Sequence, residues 1–136
     1  MGLILNSKLR VLKLSSNELR EIPVEICELI FLKGLFIDNN HLRSLPREIG
    51  KLNKLRVLDF HKNKIGEIPK EIGNWVSLNK INAKYNSFSE IPASLSNINN
   101  LQIFDIEWFK YWIPPLKYSF NKDSEVNKET LQPIMK

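Results

Sequence analysis

The residue types that most often carry out enzyme chemistry are scarce in this chain. Its 136 residues include one cysteine, Cys27, and two histidines, His41 and His61. A cysteine becomes a nucleophile when a neighbouring base or cation stabilises its thiolate. A metal site needs ligands at a set spacing, as in His-Glu-x-x-His or Cys-x-x-Cys. The sequence contains neither motif, no Gly-x-Ser-x-Gly turn and no glycine-rich phosphate loop. These patterns predict no catalytic, metal-binding or cofactor-binding site.

A repeat of 23 residues organises the elements that carry these side chains. Asparagines keep this spacing at Asn17, Asn40, Asn63 and Asn86, and prolines keep it at Pro23, Pro46, Pro69 and Pro92. Leucine and isoleucine recur in the same register, beginning with Leu9, Leu12, Leu14 and Leu19. Self-similarity at a fixed period indicates a repeat architecture, in which each unit buries its apolar face against its neighbours.

Each repeat follows the pattern Leu-x-x-Leu-x-Leu-x-x-Asn-x-Leu-x-x-Ile-Pro-x-x-Ile-x-x-Leu, which resembles the leucine-rich repeat family over residues 9 to about 118. It is most similar to the 23-residue intracellular class of Ras-suppressor and scribble-type scaffold proteins. The resemblance implies an α/β fold, a short right-handed horseshoe. A parallel β-sheet lines its concave side, and short helical or 3₁₀ segments form its convex side.

The residues of a single repeat lead to the same fold. The alternation Leu12-x-Leu14 predicts a short strand with both leucines on one face. Asn17 follows where the chain must turn inward, and a stack of such amides can satisfy the backbone groups that the turn buries. Pro23 can open a helical turn at its first position, with Glu25 near the positive end of the helix dipole. Each repeat is therefore predicted to be a strand, a turn, a short helical segment and a return.

The register divides the chain into four parts. Residues 1–8 form an incomplete N-terminal edge, 9–100 form four repeats, 101–118 form a degenerate fifth repeat with an aromatic C-terminal cap, and 119–136 form a polar tail. We expect that tail to be frayed or weakly helical. The aromatic residues between Trp108 and Ile113 either cover the last layer or form an exposed docking patch. Because only residues 1–8 can cover the first layer of leucines, we expect either a fragment of a longer array or self-association through this end.

Strand residues between the inward leucines should face solvent on the concave sheet, where neighbours in a column lie about 5 Å apart. The central column is Lys13, Phe36, Asp59, Asn82 and Asp105; the next two are Ser15, Asp38, His61, Lys84, Glu107 and Ser16, Asn39, Lys62, Tyr85, Trp108. The candidate partner site consists of Lys13, Phe36, Asp38, Asp59, His61, Asn82, Lys84, Tyr85, Asp105 and Trp108. Phe36 gains nothing from packing inside its own repeat, so it indicates either a binding contact or a scattered apolar residue without consequence. We expect Asp38, His61 and Lys84 to lie within mutual reach.

Two carboxylates of the central column are the candidates for a catalytic pair. Asp59 and Asp105 are two repeats apart, or about 10 Å at the spacing of neighbouring strands. That separation could suit the carboxylate pair of an inverting glycosidase. Asn82 occupies the position between them, however, and the pattern implies no cleft. We therefore predict that this chain is not an enzyme.

Charge points to the kind of partner. The net charge is +5, and the basic excess lies within residues 1–100. Where the strands begin, five basic residues are predicted to form a ridge: Lys8, Arg10, Lys33, Lys54 and Arg56. This basic ridge is either a site for an acidic partner segment or a solvated flank. Nucleic acid binding would require interleaved stacking aromatics and a larger excess of charge, and a membrane span would require about 20 apolar residues. We expect neither nucleic acid nor membrane as a partner.

The most consistent function is a non-catalytic protein–protein interaction module that binds another protein on its concave sheet. The resemblance implies a scaffold in intracellular signalling, with partners such as small GTPases or phosphatases. The alternative is a regulatory or substrate-recruiting fragment of a larger multidomain enzyme, such as a kinase or phosphatase. A lone cysteine and the absence of any Asn-x-Ser/Thr acceptor favour a cytoplasmic protein over a secreted one.

Overall fold

The 23-residue repeat becomes a stack of layers along one sheet. The structure, a computed structural model, describes residues 8–88, 93–98, 101, 103–105 and 125–127. Five parallel strands follow one another in chain order: β1 (Val11–Lys13), β2 (Gly34–Phe36), β3 (Val57–Asp59), β4 (Lys80–Asn82) and β5 (Ile103–Asp105). Leu12 pairs with Leu35, Leu35 with Leu58 and Leu58 with Ile81, so each residue lies beside its equivalent 23 positions away.

Short 3₁₀ helices complete the repeats at Val24–Glu28, Arg47–Lys51, Lys70–Asn74 and Ala93–Asn97. The prediction that the repeat prolines occupy the first helical position is wrong by one residue. Pro23, Pro46 and Pro69 are N-cap residues with ψ of 135°, 145° and 144°. Their backbone is still extended, and the carbonyl of Pro23 accepts the first helical hydrogen bond from the Ile26 N–H at 3.0 Å. The predicted solenoid with a parallel sheet and 3₁₀ segments is confirmed.

A final strand departs from the parallel pattern. β6 (Glu125–Asn127) pairs antiparallel with β5, with Phe104 opposite Val126. These three residues belong to the tail that the sequence indicates to be frayed or weakly helical, so at this point the tail adds a strand to the sheet edge instead. Such pairing satisfies backbone groups that an edge strand leaves open. The predicted N-terminal edge up to residue 7 and the aromatic cap from Trp108 to Ile113 lie outside the described residues.

Buried leucine and isoleucine side chains form one continuous core between the sheet and the 3₁₀ helices. Leu35 and Leu58 are fully buried, whereas Leu12 of the first layer is only partly buried. Trp75 takes the core position that Leu29 and Leu52 hold in earlier repeats. Its indole Nε1–H donates to the backbone carbonyl of Ile49 at 2.9 Å, so this bulky polar side chain is buried with its donor satisfied.

An asparagine ladder holds the turns that follow the strands. Asn40 and Asn63 are only 5% and 7% exposed, yet their amides are hydrogen-bonded on both sides. The Asn40 Oδ1 atom accepts from the backbone N–H groups of Asn17 and Leu19, both at 2.9 Å. Its Nδ2 atom donates to backbone carbonyls, including that of Leu14 in the preceding repeat at 3.0 Å. Each such amide therefore joins two repeats and replaces water for backbone groups that the fold buries.

Candidate interaction surface

The strand register aligns the central column of the sheet. Lys13, Phe36, Asp59, Asn82 and Asp105 pair with one another in that order across β1 to β5. The Lys13 side chain is exposed, and those of Phe36, Asp59 and Asn82 are half-buried. The side chain of Asp105 and the whole of Trp108 lie outside the described residues. The first four members therefore share one face that solvent reaches.

Phe36 packs more closely than its sequence position indicates. A Cβ atom placed on Gly34 would lie 3.2 Å from Cε2 of Phe36 and 3.7 Å from both Val11 methyl groups. The ring thus covers the glycine beside Val11, and the Lys13 Nζ atom lies 5.7 Å from the ring centroid. The prediction that Phe36 gains nothing from packing within its own repeat is therefore wrong. Because Gly34 has no side chain, the ring can lie over the strand while one side still meets solvent.

A further column beside Phe36 was not identified from the sequence. In three-residue strands the first and third residues point to the same side. The first residues of the strands therefore form a second column on the face of the central column, and they are Val11, Gly34, Val57 and Lys80. Val11 is 47% exposed, and Val57 is half-buried. Val11 and Val57 form a small apolar patch with Phe36 on the concave face. The period-2 alternation within each strand is the signal that would have revealed it.

A polar network adjoins this apolar patch. His61 is hydrogen-bonded to Asp59 twice, through its Nδ1 atom to Asp59 Oδ1 and through its backbone N–H to the same oxygen at 3.1 Å. Its Nε2 atom lies 4.0 Å from Asp38 Oδ2, and Asp38 Oδ1 accepts from the Ser15 hydroxyl at 2.6 Å. The contact between Asp38 and His61 matches the expected column. For Lys84 the structure shows a hydrogen bond of the backbone N–H, to Asn82 Oδ1 at 3.4 Å. Sequence reasoning missed the pairing of Asp59, the last residue of β3, with His61 two positions later.

The same network is where potential metal ligands meet in the described part of the chain. One ligand atom each from Asp38, Asp59 and His61 lies within 4.8 Å of the others. The Asp59 carboxylate is already bonded to the imidazole, and the Asp38 carboxylate to Ser15. The His61 Nε2 atom and the Oδ2 atoms of both carboxylates take no part in these two hydrogen bonds. The trio is therefore a polar network whose hydrogen bonds form without a metal ion.

A row of left-handed residues follows the strands, one position before each ladder asparagine. Ser16, Asn39, Lys62 and Tyr85 have φ of 59°, 54°, 56° and 58°. Asparagine tolerates this conformation, whereas a bulky side chain adopts it rarely and at a cost of about 1–2 kcal/mol. Tyr85 is nevertheless placed there, with 58% of its surface exposed. It lies two repeats along from Phe36 and in a different column, so these aromatic residues flank the polar network rather than touching each other.

The basic ridge is present at the edge where the strands begin. The backbone N–H of Lys33 donates to the Arg10 carbonyl at 2.7 Å, and that of Arg56 donates to the Lys33 carbonyl at 2.8 Å, so these residues stack in register. An unexpected partner is Phe31. The Arg10 guanidinium carbon lies 5.2 Å, and the Lys54 Nζ atom 4.3 Å, from its ring centroid. Cation–π attraction of this kind gathers the two charges around one ring.

Cys27 shows the environment of a structural thiol. Its side chain is fully buried in the core. Burial raises the pKa of the Cys27 thiol to about 11, and the nearby charge of Glu48 acts in the same direction. A thiol with a raised pKa is a poor nucleophile at neutral pH. This residue therefore belongs to the packing of the repeat.

Comparison with solved structures finds the same architecture in several proteins. A leucine-rich repeat protein of Leptospira interrogans is 32% identical, with a TM-score of 0.71, over 74% of this chain and 26% of that chain. The plant peptide hormone receptor RGFR1, solved in complex with RGF2, is 39% identical, with a TM-score of 0.69, over 74% of this chain and 17% of that chain. The BIR3–SERK2 complex from Arabidopsis thaliana gives 28% identity and a TM-score of 0.69 over 85% of this chain and 66% of that one. The chain thus spans only a part of these similar proteins.

Two further findings bear on function. A search among curated proteins returns no match. Within the described part of the chain, no helix has the length and apolar character that crossing a membrane requires. Whether the repeats belong to the 23-residue intracellular class stays a prediction.

The decisive comparison is with families. The family model described as leucine-rich repeat region matches residues 3–135. Repeats of this kind generally mediate protein–protein interaction and are typically non-catalytic. The match covers nearly the whole chain, and the register, the asparagine ladder and the parallel sheet agree with it. The chain belongs to the leucine-rich repeat family.

Proposed function

We propose that this protein is a non-catalytic module that binds a partner protein on its concave sheet. The observation that carries the proposal is the placement of Tyr85. An aromatic side chain that is 58% exposed occupies a backbone position with φ of 58°. That conformation costs a bulky residue about 1–2 kcal/mol. An exposed aromatic side chain at a position with such a cost to stability is readily explained by a contact with another molecule.

The remainder of the surface supports the same proposal. The apolar patch of Val11, Phe36 and Val57 lies beside the network of Asp38, Asp59 and His61. A small apolar centre with aromatic anchors and polar groups around it is typical of protein interfaces. Among the similar structures, RGFR1 and the BIR3–SERK2 pair were each solved in a complex. These comparisons favour a protein as the partner.

The cellular setting is also part of the proposal. We propose a cytoplasmic scaffold role in signalling, with small GTPases or phosphatases as the class of partner that the sequence resemblance suggests. The single cysteine is compatible with a reducing compartment. Fractionation of the source cells tests the location, because recovery of the protein outside the cytosolic fraction would contradict it.

Capture of the partner from source-cell lysate tests the binding face. Phe36→Ala and Tyr85→Asn together should reduce capture at least tenfold, because they remove both aromatic anchors. Val24→Ala with Ile30→Ala is the matched control, since these apolar residues are also exposed but lie outside the sheet. It should leave capture unchanged. Equal losses in both double variants, or full capture by the first, would place the interface elsewhere.

Stability measurements separate this outcome from a folding defect. Tyr85→Asn alone should raise the free energy of unfolding by about 1 kcal/mol, because asparagine accepts the left-handed conformation more easily. A variant that is more stable yet binds less cannot be explained by misfolding. Destabilisation by this substitution would contradict the role assigned to Tyr85.

A second candidate function is a regulatory or substrate-recruiting segment of a longer enzyme. It is favoured by the fact that the chain spans 26% and 17% of two similar proteins. The complete reading frame distinguishes the two candidates. A kinase or phosphatase domain in the same frame would support this second function, and a frame that holds only repeats would exclude it.

A further inference from the structure

A cavity just beyond the asparagine ladder is lined by basic side chains. Its volume is about 530 Å³, and Arg20, His41, Arg43 and Lys64 form its lining. Another cavity of about 410 Å³ has both signs of charge, with Arg47 and Lys70 beside Glu67 and Glu71. No carboxylate stands among the described residues that line the first cavity. Its composition is therefore that of an anion site.

The repeat register explains why these side chains converge. Arg20 and Arg43 are equivalent residues of successive repeats, and so are His41 and Lys64. Their backbones stack, because the His41 N–H donates to the Leu19 carbonyl at 2.7 Å and the Lys64 N–H donates to the Leu42 carbonyl at 2.8 Å. Equivalent residues of adjacent repeats lie about 5 Å apart. A row of two guanidinium groups thus runs beside a row that holds an imidazole and an ammonium group.

A glycine leaves the end of one row open. Gly66 is the next equivalent of Arg20 and Arg43, and among the described residues a Cβ atom placed on it would approach only the Ser87 carbonyl oxygen, at 3.9 Å. The third repeat therefore adds no side chain next to Arg43. The described residues therefore leave the space beside Arg43 and Lys64 accessible to a ligand.

The charges that line this cavity have no close carboxylate within the described part of the chain. Among the described residues, no carboxylate lies within 4.0 Å of the charged groups of Arg20, Arg43 or Lys64. Like charges held together repel one another, and a bound anion would relieve this repulsion. Glu18 precedes His41 in the same row but does not line the cavity.

We propose that this cavity binds a phosphate group, either free or as a phosphate monoester. Guanidinium groups match phosphate oxygens with paired hydrogen bonds, lysine adds a point charge, and an imidazole N–H can donate as well. The volume lies within the range of about 300–1,000 Å³ that is usual for small-molecule sites. The site is separate from the concave patch, so this proposal goes beyond the proposed function and does not depend on it.

Calorimetric titration with inorganic phosphate and with phosphoserine tests the site at low ionic strength. Arg43→Gln with Lys64→Gln should weaken saturable binding of phosphate at least tenfold. Lys33→Gln with Arg56→Gln removes the same charge from the basic ridge and should change the affinity less than twofold. Equal loss in both variants, or the absence of saturable binding to the wild type, would overturn the proposal. Tighter binding of phosphoserine than of inorganic phosphate would identify a monoester as the ligand, and equal binding would identify the free anion.

A substitution that adds a negative charge to the cavity, instead of removing positive charges, gives an independent test. Gly66→Asp places a carboxylate next to Arg43, so it should raise the melting temperature and abolish phosphate binding. Gly66→Ala is the matched control and should retain binding, because it adds bulk without charge. Preserved binding in Gly66→Asp would contradict the assignment.

Stronger binding of duplex DNA or of anionic phospholipid vesicles, with equal sensitivity to both charge-removing variants, would instead indicate a diffuse electrostatic surface. Phe36→Ala with Tyr85→Asn should leave phosphate binding intact, so the two proposals can fail separately.

Discussion

Replacement of Asn63 by leucine tests how the asparagine ladder holds the repeats together. Leucine has nearly the same size, so the substitution removes hydrogen bonds with little change in packing. The Asn63 Oδ1 atom accepts from the Leu42 N–H at 3.0 Å. Its Nδ2 atom donates to the carbonyls of Ile37 at 3.1 Å, Phe60 at 3.0 Å and His61 at 3.4 Å. All of these groups belong to a site where Asn63 itself is only 7% exposed.

The expected loss in the free energy of unfolding depends on how many buried groups the substitution leaves without a hydrogen-bond partner. The Ile37 carbonyl keeps a hydrogen bond from Asn40 Nδ2, and the Phe60 carbonyl keeps one from Asn86 Nδ2, both at 3.0 Å. The His61 carbonyl likewise keeps a hydrogen bond from the Asn39 N–H at 2.9 Å. The Leu42 N–H loses the acceptor that Asn63 supplies. An unsatisfied buried donor costs about 1–3 kcal/mol. We therefore expect Asn63→Leu to lower the free energy of unfolding by about 1–3 kcal/mol rather than by the sum of four bonds.

Urea unfolding followed by circular dichroism measures this loss. Asn17→Leu is the matched control, because the exposed Asn17 amide donates one hydrogen bond, to the Ser15 carbonyl at 3.0 Å. The control should change stability by less than about 0.5 kcal/mol. If Asn63→Leu leaves the unfolding curve unchanged, or if the control is equally destabilising, the reasoning about the ladder is refuted.

Two further predictions concern the packing between repeats. Gly50→Ala should destabilise the protein by about 1–3 kcal/mol, because its Cβ would lie 2.8 Å from the Glu71 Cβ and 2.9 Å from the Glu71 carbonyl oxygen. Gly66→Ala, which meets no atom of the described residues closer than 3.9 Å, is the control, and equal melting curves for the two would contradict the clash. The raised pKa of Cys27, about 11 against 9.0, favours the protonated thiol in the folded state, so its contribution to stability is complete below pH 9 and is lost as the pH rises through 11. At pH 8 a thiol reagent should label the denatured protein quickly and the native one slowly, and rapid native labelling would disprove this burial.

The architecture could be predicted from the sequence because the residue pattern that specifies it recurs at a fixed spacing. A spacing of 23 residues fixes which strand residues pair, and Lys13, Phe36 and Asp59 do lie side by side. The 3₁₀ segments follow from the proline that recurs in each repeat. The error of one residue at Pro23 arose because φ near −60° suits both a first helical residue and an N-cap, and only ψ distinguishes them.

The details of the surface depend on contacts that periodicity does not encode. The ring of Phe36 lies over Gly34 because one particular repeat lacks a side chain there. His61 is hydrogen-bonded to Asp59 of its own repeat, a partner that the spacing of the repeats does not specify. The left-handed conformation of Tyr85 is imposed by the turn that all repeats share, although tyrosine itself disfavours it. Such features require coordinates, since each results from competition between local preference and the fold.

Footprinting of the captured complex with hydroxyl radicals tests the central claim most directly, because the reagent labels side chains that solvent reaches. Binding of the partner on the concave sheet should protect Phe36 and Tyr85 from labelling relative to the free protein. Val24, which is 52% exposed on the 3₁₀ side, should be labelled equally in both states. Protection of Val24 with unchanged labelling of Phe36 and Tyr85 would show that the partner binds the opposite side and would contradict the account.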